Sequence, residues 1–191
     1  EAVFASLENS INRILVEQIR GVVVMCSGGL DSSCLLHVLW RIAKGKNKFS
    51  LIAIHVNFGL RGIQSDLDQI AISDFAAQLG VPFQAYNAAA ILPANSSRSH
   101  SWTRACRRRI SQRFNQMGFI AALAHHRDDV AENVLMRAAR GTGPMTLLGM
   151  EQFQNNELRP FLSFTKDNLA QYANSHGILW RVDHTNLEDG C

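Results

Sequence analysis

Apolar residues along this chain fall into two rhythms. Short unbroken runs, at residues 21–26, 49–56, 81–86 and 119–124, alternate with longer stretches in which apolar positions recur every three or four residues. The first two runs carry several β-branched side chains, and all four are set off by glycine, asparagine or polar residues, which predicts four strands, the third of them short. Between them the helical period predicts helices. In residues 3–19 it is carried by Phe4, Leu7, Ile11, Ile14, Leu15 and Ile19, and in residues 102–117 by Ala105, Ile110 and Phe114. Ser65 is placed to cap a helix running to Leu79, with Asp66 and Asp68 in its first turn, and a further helix is expected over residues 128–140. Gly80 and Gly118 stop two of these helices, and the small, polar, proline-containing stretch 88–101 reads as a loop.

Strand and helix alternate with connections too long for hairpins, so the expected fold class is α/β: a mostly parallel sheet covered by helices on both faces, forming one domain over residues 1–191. In such sheets ligands gather outside the carboxyl ends of the strands. Ser27, the pair His55 and Asn57, and the pair His125 and His126 each stand at a predicted strand end, which points to one composite site.

Composition narrows the picture further. With 191 residues, 47% of them hydrophobic, the chain can bury one full core, and no apolar stretch is long enough to span a bilayer. A cytoplasmic location, with no membrane partner, is expected. Cys26, Cys34, Cys106 and Cys191 are widely spaced and read as buried thiols, not as disulfides or metal ligands. The net charge of +3 is modest, but Arg98, Arg104, Arg107, Arg108, Arg109 and Arg113 cluster in a stretch without acidic residues, which suits a phosphate-bearing partner.

The chemistry begins at Ser27-Gly28-Gly29-Leu30-Asp31-Ser32-Ser33, where a buried strand breaks into two glycines and restarts as a helix. Glycine permits backbone angles closed to other residues, and a helix N-terminus favours anions, so this is a phosphate cradle. It lacks the lysine of the GxxxxGK[ST] loop and the glycine spacing of a dinucleotide fingerprint. The later run from Ala124 to Asn133 sets His125 and His126 ahead of Asp128, Asp129 and Glu132. Asp128 and Glu132 are expected to share one helical face. These carboxylates suit magnesium, a substrate amine or a metal–phosphate group, and a zinc site of histidine and aspartate is the rival reading. Arg140 and Gly141 follow as a loop fitted to phosphate.

The SGGLDSS segment resembles the PP-loop of the ATP pyrophosphatases, which cleave ATP to AMP and pyrophosphate while adenylating a second substrate. Together with HVNFGLRG, TRACRRR, HHRDDVAENVLMRAARGTG and the late Asp183-His184-Thr185-Asn186, it resembles the tRNA(Ile)-lysidine synthetases. The chain departs from that family's pattern at Phe58, Arg108, Ala124 and Val130. The resemblance implies adenylation of an anticodon cytidine of an isoleucine tRNA, followed by attack of L-lysine and loss of AMP, with ATP and Mg2+ required. It implies that Ser27, Gly28, Gly29, Leu30, Asp31, Ser32 and Ser33 hold the pyrophosphate portion of ATP, with His55 and Asn57 near its adenosine and Arg140 and Gly141 completing the nucleotide site. Asp31 and Asp129 are expected at the metal, and Arg104, Arg107, Asp128, Asp129 and Glu132 at the tRNA or lysine. Asp31, Arg104, His125 and Asp129 are the expected catalytic set. Relatives continue into RNA-binding domains, so the chain is expected to be the catalytic part of a longer enzyme. Competing readings are a tRNA thiolase, another amide-forming PP-loop synthetase, or a non-catalytic nucleotide- or RNA-binding module.

Overall fold

The structure, a computed structural model, describes residues 11, 19–45, 49–92, 99–139 and 150–181. Six strands form one sheet: β1 (Gly21–Met25), β2 (Ser50–Asn57), β3 (Phe83–Asn87), β4 (Phe119–Ala122), β5 (Phe153–Gln154) and β6 (Glu157–Leu158), in the spatial order β3-β2-β1-β4-β6-β5. All neighbours pair in parallel except β5 with β6. The helices are α1 (Leu30–Lys44), α2 (Ile63–Leu79), α3 (Ala88–Ile91), α4 (His100–Gln116), α5 (Arg127–Ala139) and α6 (Lys166–Ser175). No helix among the described residues is long and apolar enough to cross a membrane.

Period-two alternation on β1 explains why both faces are covered. Val22 and Val24 join Leu35, Leu39, Ile72, Leu169 and Tyr172 in one core, whereas Val23 and Met25 join Trp102, Cys106, Ile110 and Phe114 in the other. The α4 stripe therefore runs through Trp102, Cys106, Ile110 and Phe114 at four-residue steps, and Ala105, predicted to face inward, is exposed. At the start of β1, a Cβ on Gly21 would lie 2.2 Å from the Ser50 carbonyl oxygen, so this close strand approach admits only glycine.

The structure corrects several expectations. Residues 88–101 do not form one loop: Asn87 caps the short helix α3 by accepting the Ala89 N–H, and Ser99 caps α4 by accepting the Trp102 N–H. Helix α2 begins at Ile63, two residues before Ser65, whose hydroxyl instead accepts the Arg61 N–H, and Asp68 consequently falls in the second turn, where it is buried. The hairpin β5–β6 was not anticipated. Its two turn residues, Asn155 and Asn156, have φ of 54° and 58°, the left-handed pair that a two-residue hairpin requires and asparagine tolerates. Helix α6 was also unassigned, although Thr165 and Asn168 form a reciprocal capping box at its start. The expected helix over residues 3–19 and the motif at Asp183–Asn186 lie outside the described residues, apart from Ile11 and Ile19.

Candidate active site

The connection order places β2 and β4 on opposite sides of β1, so successive crossovers leave a crevice beyond the carboxyl ends of these strands. A cavity of about 340 Å³ occupies it. Ser27, Asp31 and Ser32 line it from the β1–α1 turn, His55 and Asn57 from the end of β2, Arg107 from α4, and His125 and Asp129 from the β4–α5 junction. Arg61 and Asp68 also line it, Asp68 as a wall residue and not as the first-turn acid that its sequence position predicts.

The β1–α1 turn is closed by its own hydroxyls. Ser32 Oγ accepts the Ser27 N–H at 3.1 Å and donates to the Gly29 carbonyl at 3.1 Å, while Ser27 Oγ accepts the Gly29 N–H at 3.3 Å. Gly28 has φ of 93°, a backbone conformation that calls for glycine, although a Cβ there would meet Asp68 only at ordinary van der Waals distance, 3.4 Å. Gly28, Gly29, Leu30 and Ser33 shape this turn without lining the cavity, and Ser33 is almost fully buried.

His55 Nδ1 lies 2.9 Å from the Cys26 carbonyl oxygen. A carbonyl only accepts, so Nδ1 carries the proton; burial pushes the imidazole pKa down, against the Cys26 hydrogen bond and the charge of Asp68. The Asn57 amide is engaged locally: its nitrogen donates to Asp66 at 2.8 Å and its oxygen accepts the Gly59 N–H at 2.9 Å. Asn57 thus holds the β2–α2 turn as well as lining the cavity.

Across the crevice, His125 is pushed down to about 4, chiefly by burial and further by Arg159, Arg107 and Arg104, with Asp129 opposing. It is a neutral imidazole at physiological pH, and its buried Nδ1 has no hydrogen-bond partner among the described residues. Asp31 Oδ1 is likewise buried without a hydrogen-bond partner among the described residues, and burial raises the carboxyl pKa against the opposing effects of His126 and Lys166. Arg107 is pushed down by burial and by Arg104, with Glu157 opposing.

Not every expected residue converges. Asp128 faces α6, where its carboxylate accepts the Lys166 N–H at 2.9 Å, and it does not line the cavity. Glu132 and Arg104 line a separate outer groove of about 1230 Å³ between α4 and α5, together with Arg108, Arg109 and Arg113. Asp128 and Glu132 stand four residues apart on α5 as expected, the first meeting α6 and the second this groove. Arg140 and Gly141 lie outside the described residues. His126, passed over in favour of His125, is the buried residue that links Asp129 to Asp31, its Nε2 3.8 Å from Asp31 Oδ2 and its Nδ1 3.7 Å from Asp129 Oδ2. Its only sequence signal was a histidine three residues before an aspartate at a helix start.

A hard divalent cation fits this donor set. Asp31 offers a buried carboxylate oxygen without a protein partner, and Asp129 supplies a second carboxylate at the same rim; magnesium characteristically takes one or two carboxylates and completes its shell with phosphate and water. Among the described residues no group of three or more histidine, cysteine or acidic side chains converges to hold a metal, so the histidine–aspartate zinc cluster is not assembled there.

Comparison with known proteins bears on the family and the fold. Residues 3–190 match the PP-loop domain family. The chain is 37% identical over 185 residues to a tRNA(Ile)-lysidine synthase from Parabacteroides distasonis, covering 92% of this chain and 40% of the relative. It is 33% identical over 184 residues to one from Chlorobaculum tepidum, covering 94% of this chain and 55% of the relative. The chain thus spans about half or less of the curated relatives it matches. Among solved structures, a U34-tRNA thiolase from Methanococcus maripaludis shares the fold with a TM-score of 0.73 at 21% identity, covering 93% of this chain and 64% of that one. An NH3-dependent NAD synthetase from Campylobacter jejuni does so with a TM-score of 0.61 at 15% identity, covering 93% and 73% of the two chains. With its glycine turn at the strand-order reversal and its match over nearly the whole length, the chain belongs to the PP-loop domain family, alongside the tRNA(Ile)-lysidine synthases it resembles in sequence.

Proposed function

We propose that this chain is the ATP-cleaving catalytic domain of a tRNA(Ile)-lysidine synthase, acting in the cytoplasm on ATP, L-lysine and an isoleucine tRNA. The observation that carries the reading is that Ser27, Asp31, Arg107, His125 and Asp129, drawn from three chain segments, line one cavity at the sheet's switch point. The same residues lie in the motifs that the resemblance depends on.

In this reading the triphosphate of ATP lies against the β1–α1 turn, where backbone amides and the α1 N-terminus favour anions. Its adenosine is directed toward His55 and Asn57. Asp31 and Asp129 would hold Mg2+, which when bound neutralises phosphate charge. The cytosine carbonyl oxygen attacks the α-phosphorus, the bond to the bridging oxygen of the β-phosphate breaks, and pyrophosphate leaves. Arg107, which lines the cavity from α4, faces the negative charge that develops there. The lysine ε-amine then attacks the activated ring carbon, and AMP departs with the former carbonyl oxygen. Attack needs an amine that has lost a proton, and His125, a neutral ring whose Nδ1 has no partner among the described residues, lines the cavity beside Asp129 where it would position that amine. The outer arginine groove takes the RNA backbone.

The described cysteines favour this reading over sulfur transfer. Cys26, Cys34 and Cys106 are all buried, and burial pushes the first two up to about 12, far from the thiolate that sulfur chemistry uses. The test is product identity: with α-labelled ATP, lysine and isoleucine tRNA, the full protein is expected to release AMP and pyrophosphate and to place lysine on the tRNA. Release of ADP, or AMP formation that ignores lysine, would overturn the assignment.

A further inference from the structure

His126 is not among the residues that the resemblance brings into the chemistry, yet it is buried between the two carboxylates that are. Its backbone N–H donates to Asp129 Oδ2 at 2.8 Å, and the Asp129 N–H is directed at His126 Nδ1 at 3.4 Å. The His126 carbonyl accepts the Val130 N–H at 3.2 Å, which makes His126 the residue that caps α5. This is a reciprocal capping box in which histidine replaces the usual serine or threonine and aspartate the usual glutamate. A hydroxyl cap would satisfy the same backbone N–H and stop there. An imidazole has a second nitrogen.

The two nitrogens are chemically linked. Nδ1 receives an N–H and so must present its lone pair, which puts the proton of the neutral ring on Nε2. Nε2 lies 3.8 Å from Asp31 Oδ2, beyond hydrogen-bond length but within direct electrostatic contact. Asp128 Oδ2 is also 3.8 Å from Nδ1, and Lys166, whose backbone N–H donates to Asp128, acts electrostatically on Asp31. One buried ring therefore spans the start of α5 and the start of α1, elements separated by the whole of β2, α2, β3, α3, α4 and β4 in the chain.

We infer that His126 is a positioning residue: by capping α5 through Nδ1 and presenting Nε2–H to Asp31, it sets the distance and orientation between the Asp129 and Asp31 carboxylates on which ATP cleavage depends. This rests on the proposed function for its catalytic consequence, but not for its geometry. A misplacement of one catalytic group by about 1 Å can cost about 100-fold in rate. A single rigid ring is a compact way to prevent it.

The variants separate the two nitrogens. Asparagine is a good helix cap and can take the place of Nδ1, but it is too short to supply the Nε2 proton; alanine supplies neither. His126→Ala is expected to lower the thermal midpoint by about 2–4 °C, the size of a lost cap in a protein of this length, and to lower kcat for AMP formation by about 100-fold. His126→Asn is expected to recover the midpoint while kcat remains at least about tenfold below the parent. Full activity in His126→Asn would reduce the residue to an ordinary cap and overturn the inference. A readout independent of turnover is the long-range proton–nitrogen NMR spectrum of the labelled parent, which should show His126 as the Nε2–H tautomer, with the Nε2 resonance shifted in Asp31→Asn. The Nδ1–H tautomer, or an Nε2 signal indifferent to Asp31→Asn, would also overturn it, whether or not the protein makes lysidine. Conversely, the expected tautomer in a protein that fails to make AMP would refute the proposed function and leave this geometry standing.

Discussion

Arg181 Nε donates to Asp68 Oδ1 at 2.8 Å across 113 residues of sequence, and the same carboxylate is paired on its other oxygen with Arg61. Arg181 also donates its backbone N–H to the Gly28 carbonyl at 3.1 Å. The segment after α6 is thereby tied both to the phosphate turn and to the wall of the cavity. Replacing Asp68 by asparagine removes the charge that both guanidiniums share. Urea denaturation is expected to show a loss of about 2 kcal/mol, in the range for hydrogen bonds to charged groups, together with weaker ATP binding by calorimetry. Unchanged ATP affinity in a destabilised variant would mean that the pair supports the fold and not the phosphate turn.

The two glycines of the turn, indistinguishable as letters, make different demands. Gly28 has φ of 93°, with Asp68 behind it, whereas Gly29 has φ of −80° and a Cβ there would meet only Ser27 Oγ at 3.6 Å. Gly28→Ala is expected to cost about 1–3 kcal/mol of strain and to abolish AMP formation, while Gly29→Ala should fold with near-parental stability. Paired thermal melts would check the difference, and equal damage at both positions would contradict it.

Asp31 stands at the first turn of α1 with one oxygen unpaired, so its removal takes little packing away. Asp31→Asn is expected to retain the melting midpoint to within about 2 °C and to lose AMP production, with the dependence on Mg2+ concentration shifted upward. Turnover with parental Mg2+ dependence would remove Asp31 from the metal's coordination.

Arg104 and Arg107 are three residues apart but reach different places, the first the outer groove and the second the cavity. Arg104→Ala should weaken tRNA binding and flatten its salt dependence by about 0.7–0.9 in the log–log slope while ATP affinity is unchanged. Arg107→Ala should lower turnover more than tRNA affinity. Anisotropy titrations over a range of potassium chloride would distinguish the two, and identical phenotypes would count against a division between cavity and groove.

Acid should loosen the α1–α6 contact. His37 Nδ1 lies 2.8 Å from the Tyr172 hydroxyl, and the His176 ring, itself 2.9 Å from an Arg41 nitrogen, packs 5.2 Å from His37. Burial, helped by His176 and Arg41, pushes His37 down to about 4 from an ordinary value of 6.5. The folded state thus favours the neutral ring. Its contribution is whole above pH 6.5, falls as pH drops because the unfolded chain takes the proton first, and levels off below about 4. His125 adds to the same window. The unfolding free energy from urea titrations between pH 7 and 4 should fall by on the order of 2 kcal/mol from His37 alone, and His37→Gln should flatten that part of the curve.

Much of the framework was legible in the residues themselves. β-branched runs gave away β1 and β2, and the helical period and terminal glycines of the next elements followed from local backbone preference, which needs no tertiary partner. The placing of Ser27, His55 and His125 at one sheet edge also followed, because parallel strands joined by crossovers must present their carboxyl ends together. The hairpin turning at Asn155 and Asn156 escaped notice because two-residue strands leave no periodicity to read.

Pairings between distant residues were decided by the fold alone. Asp68 looked like a charge placed to suit a helix start, and only packing against Gly28 made it a buried partner for Arg61 and Arg181. Asp128, Asp129 and Glu132 are alike as acids, yet helix rotation sent one to α6, one to the cavity and one to the outer groove. His125 and His126 are adjacent and identical, and the turn into α5 gave the first an unpartnered nitrogen in the cavity and the second a place between two carboxylates. Local sequence determines which elements form and which chemistry they carry. Which side chains meet depends on the relative rotation and register of elements far apart in the chain, and those are set by the packing of the whole core.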